Sequence, residues 1–201
     1  QFRKRFPESK IAADSNHAYN YKEAIAIGKI LEANDYCWFE EPLSPENYAD
    51  MARLRKVLSV PIAAGECEQT RYGFERFASA RSLDIFQPDI AYCGGITEFQ
   101  KINALASAAH ADIVPHCWGL KINQAVAASA ISMVPENPGR FERRPVFLEV
   151  DQTEHPIRDT IFSTAHDVID GKLHFNDLPG LGVDIDESVM EPFVIDPKVN
   201  N

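Results

Sequence analysis

The feature that most constrains this chain is a spacing. Short apolar runs recur, and each ends on a polar residue: KIAAD at Asp14, YCWFE at Glu40, PIAAGE at Glu66, DIFQPD at Asp89, DIVPH at His116 and VFLE at Glu149. Successive run ends lie 26, 26, 23, 27 and 33 residues apart. A strand, two loops and a helix need about that length, so the pattern predicts repeated βα units with parallel strands and right-handed crossovers. The expected fold is α/β, a partial TIM-type (β/α) barrel of about six units.

The intervals carry helix signals. Asn20 with Glu23 makes a capping box that opens YKEAIAIGKILEAN. Ser44-Pro45-Glu46 predicts an N-cap, a proline in the first turn and an acid near the positive helix end. Thr97 is expected to cap EFQKINALASAAHA after the Gly94-Gly95 turn, and INQAVAASAISMV reads as one more, mostly buried helix. From Pro135 onward the pattern changes. ENPGRFERRP is a polar loop, VFLEV is the last expected strand, and residues 151–201 form a C-terminal tail whose turn signals predict short strands.

Composition sets outer limits. The 201 residues carry a net charge of −10, which argues against nucleic acid or an anionic membrane as a partner. No run approaches the roughly 18 apolar residues of a membrane span. The opening QFRKRFPESK has no apolar stretch behind its basic residues, unlike a signal peptide, and its lack of a starting methionine fits a piece of something longer. Cys37, Cys67, Cys93 and Cys117 form no CxxC pair, so a zinc knuckle held by these thiols is disfavoured. Reduced cysteines and a cytoplasmic location are expected.

In a parallel barrel the C-terminal strand ends gather at one mouth, so Asp14, Glu40, Glu66, Asp89, His116 and Glu149 should converge. Three consecutive carboxylates repel one another unless a cation lies between them, and an all-oxygen donor set favours Mg2+. The stretch WFEEP then sorts itself. Strand alternation puts Trp38 and Glu40 on one face and Phe39 and Glu41 on the other, so Glu40 faces the metal and Glu41 belongs to the following turn.

Each residue also has a plainer reading. A lone acid after a strand caps a helix, His116 fits a satisfied core histidine, and Asp89 fits a cap on the Gly-Gly turn. VFLEVD leaves Glu149 and Asp151 on one strand face, so either acid suits the mouth. Asn16 and His17 line the mouth or simply make the turn, and Lys121 meets an anion or only solvent. His110, His155, His166 and His174 fall outside the pattern. Cys37 should pack outside the barrel, with Cys67 and Cys117 near the mouth.

ADSN, WFEEP and AAGE, in this order and spacing, resemble the metal-ligand signature of the enolase superfamily. QPDIAYCGGITE followed by PHCWG resembles its mandelate racemase/muconate lactonizing enzyme-like branch. The resemblance runs on through LEVD and PGLGVDID. It implies Asp14, Glu40 and Glu66 as magnesium ligands, and His116 as an acid/base catalyst oriented by Asp89. It implies Glu149 as a carboxyl group bonding the substrate carboxylate or its enolate. The implied reaction removes the proton α to a carboxylate through an enediolate. The implied outcome is dehydration of a sugar acid, or alternatively racemisation or epimerisation of a 2-hydroxy acid.

The resemblance further implies a homo-oligomeric parent of which residues 1–201 are the C-terminal barrel portion, equivalent to the third through eighth strands. An N-terminal capping domain, the first strands and a lysine base are not found in this sequence. A reading from another class treats the chain as a non-catalytic fragment whose open sheet edges invite assembly with another chain.

Overall fold

Five short strands and the helices between them organise the first two thirds of the chain. The computed structural model describes residues 1–134, 146–158 and 160–194. Strands β1 (Ala13–Asp14), β2 (Phe39–Glu40), β3 (Ile62–Ala64), β4 (Ile85–Phe86) and β5 (Asp112–Ile113) form one sheet in that order. Every pair is parallel, with Asp14 opposite Glu40 and Glu40 opposite Ala63. The α/β class and the parallel sheet agree with the 26-residue spacing. Among the described residues the sheet does not close, since β1 and β5 each have a single neighbour.

The crossovers are α2 (Tyr21–Ala33), α3 (Tyr48–Val57), α4 (Thr70–Ala80) and α5 (Ile96–Ala108), with α6 (Lys121–Ser132) after β5 and a short α1 (Phe2–Arg5) at the start. Asn20 caps α2 as expected: its side chain accepts from the N–H groups of Lys22 and Glu23, and its own N–H donates to Glu23. Two expected caps are displaced. The cap of α3 lies three residues beyond Ser44, at Asn47, because the Asn47 side chain reaches the Asp50 N–H while the Ser44 hydroxyl bonds Glu46. α5 starts from Gly95 rather than Thr97, since Gly95 adopts φ 84° and turns the chain two residues earlier.

The helices cover the outer face of the sheet. Phe39, Ile62, Ala64, Phe86 and Ile113 join Leu31, Met51, Leu54, Phe74, Phe77, Phe99 and Ile102 in one buried cluster. At the N-terminal end of the sheet Asp84 accepts from the Ile62 N–H and from Arg55 of α3, which pins β3, β4 and α3 in register. The inner face is small: Ala63, Ile85 and Val114, with Trp38 and Phe147 packed against them.

The sixth unit departs from expectation. Residues 146–150 form no ladder, although Phe147 reaches across to Trp38 with ring centroids 5.7 Å apart. The expected loop ENPGRFERRP lies outside the described residues. The tail does form short strands. β6 (Phe162–Thr164) pairs antiparallel with β9 (Asp184–Ile185), and β7 (Asp167–Ile169) with β8 (Lys172–His174) through a turn at Asp170-Gly171, both at positive φ. A last turn of helix, α7 (Glu187–Met190), follows. Among the described residues no helix is long and apolar enough to cross a membrane.

Candidate active site

Asp14 and Glu40 are the last residues of β1 and β2, Glu66, Asp89 and His116 lie beyond β3, β4 and β5, and Glu149 lies in the unpaired segment 146–150. Glu66 follows Gly65, whose φ of +133° turns the chain, and a Cβ there would meet the Phe74 ring at 2.7 Å. Only glycine makes that turn against the core. Asp89 and His116 sit in the loops after β4 and β5. The main chain stays tied across the strand ends: Ser15 N–H donates to Glu40 O, Glu41 N–H to Ala63 O, Gln87 N–H to Ala64 O and Val114 N–H to Phe86 O.

Histidine and carboxylates meet here. His116 Nδ1 lies 2.7 Å from Asp89 Oδ2, and its Nε2 lies 3.4 Å from Glu66 Oε2. Asp89 is fixed in turn, because its other oxygen accepts from the Ala91 N–H at 2.8 Å. Burial alone would push the His116 imidazole down. The Asp89 bond and the charges of Glu66 and Glu149 outweigh it and carry the pKa up to about 9.

Of the two acids in VFLEVD, Glu149 is the one turned toward the His116 loop. Its Oε2 accepts the Cys117 N–H at 2.7 Å, which ties the unpaired segment to the His116 loop. Burial first, then Glu66 and Asp14, push its carboxyl above the ordinary range. Asp151 turns away, accepting from Thr153 and lying 2.9 Å from Arg158.

Strand alternation on β2 is as expected. Trp38 donates its indole N–H to Glu40 Oε2 at 2.8 Å, so both face inward, while Phe39 joins the outer core. Burial pushes the Glu40 carboxyl up to about 7, with Asp14 and Glu149 adding to the rise against hydrogen bonds from Gln87 and Trp38. An acid that is expensive to ionise among other acids is a natural host for a cation. The all-oxygen set of Asp14, Glu40 and Glu66 thus fits magnesium by donor chemistry and by field. The three have not drawn together, however. Asp14 accepts from the Asn16 N–H, Glu40 from Trp38 and Glu66 faces His116, so each is held by a protein partner.

Two features escaped the sequence reading. Gln87 is buried on the inner face and bonds Glu40, and its Oε1 has no hydrogen-bond partner. Its amide in the otherwise apolar DIFQP run, two residues after inward Ile85, was the available signal. Glu41 is the second. It belongs to the turn after β2, yet it is 1% exposed, with φ 41°, and its Oε2 lies 2.6 Å from His17 Nε2. The chain dives back under the β1 loop at this point, where His17 N–H donates to Glu41 O. Cys67 is exposed, Cys117 buried, and Cys37 half-buried. Lys121 is the first residue of α6.

The family model described as enolase C-terminal domain-like matches residues 1–189. D-galactarolactone cycloisomerase of Agrobacterium fabrum is 35% identical over 187 residues, covering 93% of this chain and 50% of that protein. Arabinonate dehydratase of Saccharolobus solfataricus is 33% identical over 185 residues, covering 92% of this chain and 47% of that protein. The crystal structure of the 3,6-anhydro-D-galactonate cycloisomerase from Zobellia galactanivorans superposes with a TM-score of 0.83 at 40% identity, over 94% of this chain and 52% of that one. The chain therefore spans about half the length of the curated relatives it matches.

Proposed function

The chain belongs to the enolase C-terminal domain-like family, and from that premise we propose that it carries the acid–base half of an enzyme that removes the proton next to the carboxylate of a sugar acid and then expels the β-oxygen. One observation carries this reading: His116 is held by Asp89 at 2.7 Å through Nδ1 and turns Nε2 toward the carboxylates. With one proton on Nδ1, facing Asp89, the imidazole presents a lone pair at Nε2 when neutral and, below its raised pKa of about 9, an N–H there. That nitrogen takes the α-proton, or returns one to the leaving oxygen.

The proton next to a carboxylate is very weakly acidic, and its loss puts two negative charges on one carboxyl group. Asp14, Glu40 and Glu66 would hold Mg2+, which supplies positive charge to that group when bound. Glu149, whose carboxyl is pushed upward, is suited to donating a hydrogen bond to the same substrate oxygens. Asp89 positions His116 and does not itself touch substrate.

The reading extends to the rest of the fold. Residues 146–150, which pair with no strand among the described residues, would take the sixth strand's place in a partial barrel equivalent to the third through eighth strands. The first strands, an opposing lysine base and a capping domain would come from outside residues 1–201. A cytoplasmic homo-oligomer with a small carboxylic-acid substrate completes the proposal, and residues 151–201 form its C-terminal tail.

A second reading has its own support, since two of the similar proteins bear the name cycloisomerase. If the β-oxygen belongs to a ring of the substrate, the same proton abstraction opens the ring with no atom lost. The test is a panel of aldonic, aldaric and anhydro-sugar acids given to the intact protein with Mg2+, followed by mass spectrometry and α-deuterium exchange. Product lighter by one water supports dehydration, and unchanged mass with a new keto acid supports ring opening. α-Deuterium loss without keto acid moves the assignment to racemase or epimerase. No exchange on any acid overturns the proposal.

A further inference from the structure

A second group of donors stands beside the first and shares no residue with it. His17, Glu41 and Cys67 each offer one ligand atom, and the three atoms lie within 4.8 Å of one another. They come from three successive strand-end loops, after β1, β2 and β3. Glu41 is 1% exposed, His17 is half-buried and Cys67 is exposed, so the cluster opens to solvent on its thiol side. Glu41 Oε2 lies 2.6 Å from His17 Nε2, yet these two atoms and Glu41 Oε1 are all buried without a hydrogen bond of ordinary geometry. A buried carboxylate oxygen left bare is costly, and native structures seldom leave one so without a reason.

We propose that His17, Glu41 and Cys67 form a binding site for a borderline-soft divalent cation of the zinc type, separate from Asp14, Glu40 and Glu66. The donor chemistry separates the two. An all-oxygen set suits magnesium, whereas one nitrogen, one carboxylate and one thiolate suit zinc and exclude magnesium at the sulfur. The geometry is close to what such an ion needs. Tetrahedral zinc, with bonds of about 2.0–2.3 Å, holds its ligand atoms roughly 3.5 Å apart. Rotation of the exposed Cys67 side chain covers the remaining gap. A cation there also gives Glu41 Oε1 a partner. Three protein ligands leave the fourth position open on the solvent side.

The proposal does not rest on the reaction assigned above, and its test reads the sulfur directly. The intact protein is titrated with Co2+ in excess Mg2+, so that oxygen-only sites are filled first. A thiolate-to-cobalt absorption band should grow, saturate at one equivalent per chain and vanish on adding Zn2+. Cys67→Ser should abolish the band, and this exposed position tolerates serine without threatening the core. His17→Gln should weaken binding by roughly 10–100-fold or more, the loss that follows removal even of residues that merely support a metal site. Asp14→Asn should leave the band intact. The proposal is overturned if the wild-type protein gives no band, if the band survives Cys67→Ser, or if Asp14→Asn removes it while His17→Gln does not.

Discussion

The two faces of the five-stranded sheet are built for opposite ends. Outward, Phe39, Ile62, Phe86 and Ile113 sink into a continuous apolar core with the helices. Inward, the same strands offer only Ala63, Ile85 and Val114 under a layer of Glu40, Gln87 and the surrounding acids. One face gains stability from every side chain. The other holds buried acids that are expensive to keep, the pattern expected where activity is retained against stability.

The largest effect expected from this contrast is on Glu40 of β2 and Phe86 of β4, which lie on opposite faces of the sheet. Glu40→Gln should bring activity of the intact enzyme below detection, while the folded protein is as stable as before or more so, because a buried charge is lost. Phe86→Ala should do the reverse. Truncating a fully buried phenylalanine costs about 3–5 kcal/mol, and activity per folded molecule should persist. Urea unfolding and turnover measured on the same samples separate the two. Loss of both properties in both variants would erase the distinction between the faces.

Next comes Asp89→Asn, which keeps the shape and removes the charge behind His116. A positioned acid–base group contributes about 10²–10⁴-fold, so kcat should fall by about 10²-fold or more with little change in KM. The pH limb belonging to His116 should also move downward, because the Asp89 bond is the largest influence raising that imidazole. A fall in kcat with an unmoved limb would make Asp89 a merely structural residue.

The outer face was far more legible in the sequence than the inner one. Each outward residue lies in an apolar run between capped helices, and local pattern suffices to assign it. The inner face was legible where alternation applies, so Trp38 and Glu40 were assigned together. It failed where loops take over. Glu41 could not be seen to be buried, because the groups beside it, His17 and Cys67, come from two other loops. Asn47 displaced Ser44 as a cap for a similar reason: both have suitable side chains, and the choice rests on a turn geometry set by packing. Residues 146–150 read as a strand on apolar content alone, yet no neighbouring ladder supplies their hydrogen bonds.

A smaller effect concerns pH and metal. The Glu40 carboxyl is raised from 4.5 to about 7 in the fold. A raised acid binds its proton more tightly when folded, so its contribution is fully present below the unfolded pKa and is lost as pH rises through the folded one. Chelator-treated protein should therefore lose thermal stability between about pH 4.5 and pH 7, and Glu40→Gln should flatten that slope. Added Mg2+ should raise Tm more at pH 8 than at pH 5. An equal gain at both values would separate magnesium binding from Glu40.

The smallest effect separates two acids a dipeptide apart. Glu149 and Asp151 share a strand face by sequence, yet the structure turns one to His116 and the other to Thr153 and Arg158. The Thr153 bonds, foremost, hold the Asp151 carboxyl below its ordinary range, whereas burial holds Glu149 above its own. A depressed acid contributes stability above its unfolded pKa and loses it as pH falls through the folded one. Asp151→Asn should thus lower stability measurably at pH 7, through the charge and contacts it loses toward Thr153 and Arg158. The deficit should shrink as pH falls below about 4, with activity per folded molecule unchanged. Glu149→Gln should cost no stability and should lower kcat. If Asp151→Asn lowers kcat and Glu149→Gln lowers stability, the two acids have been assigned to the wrong sides.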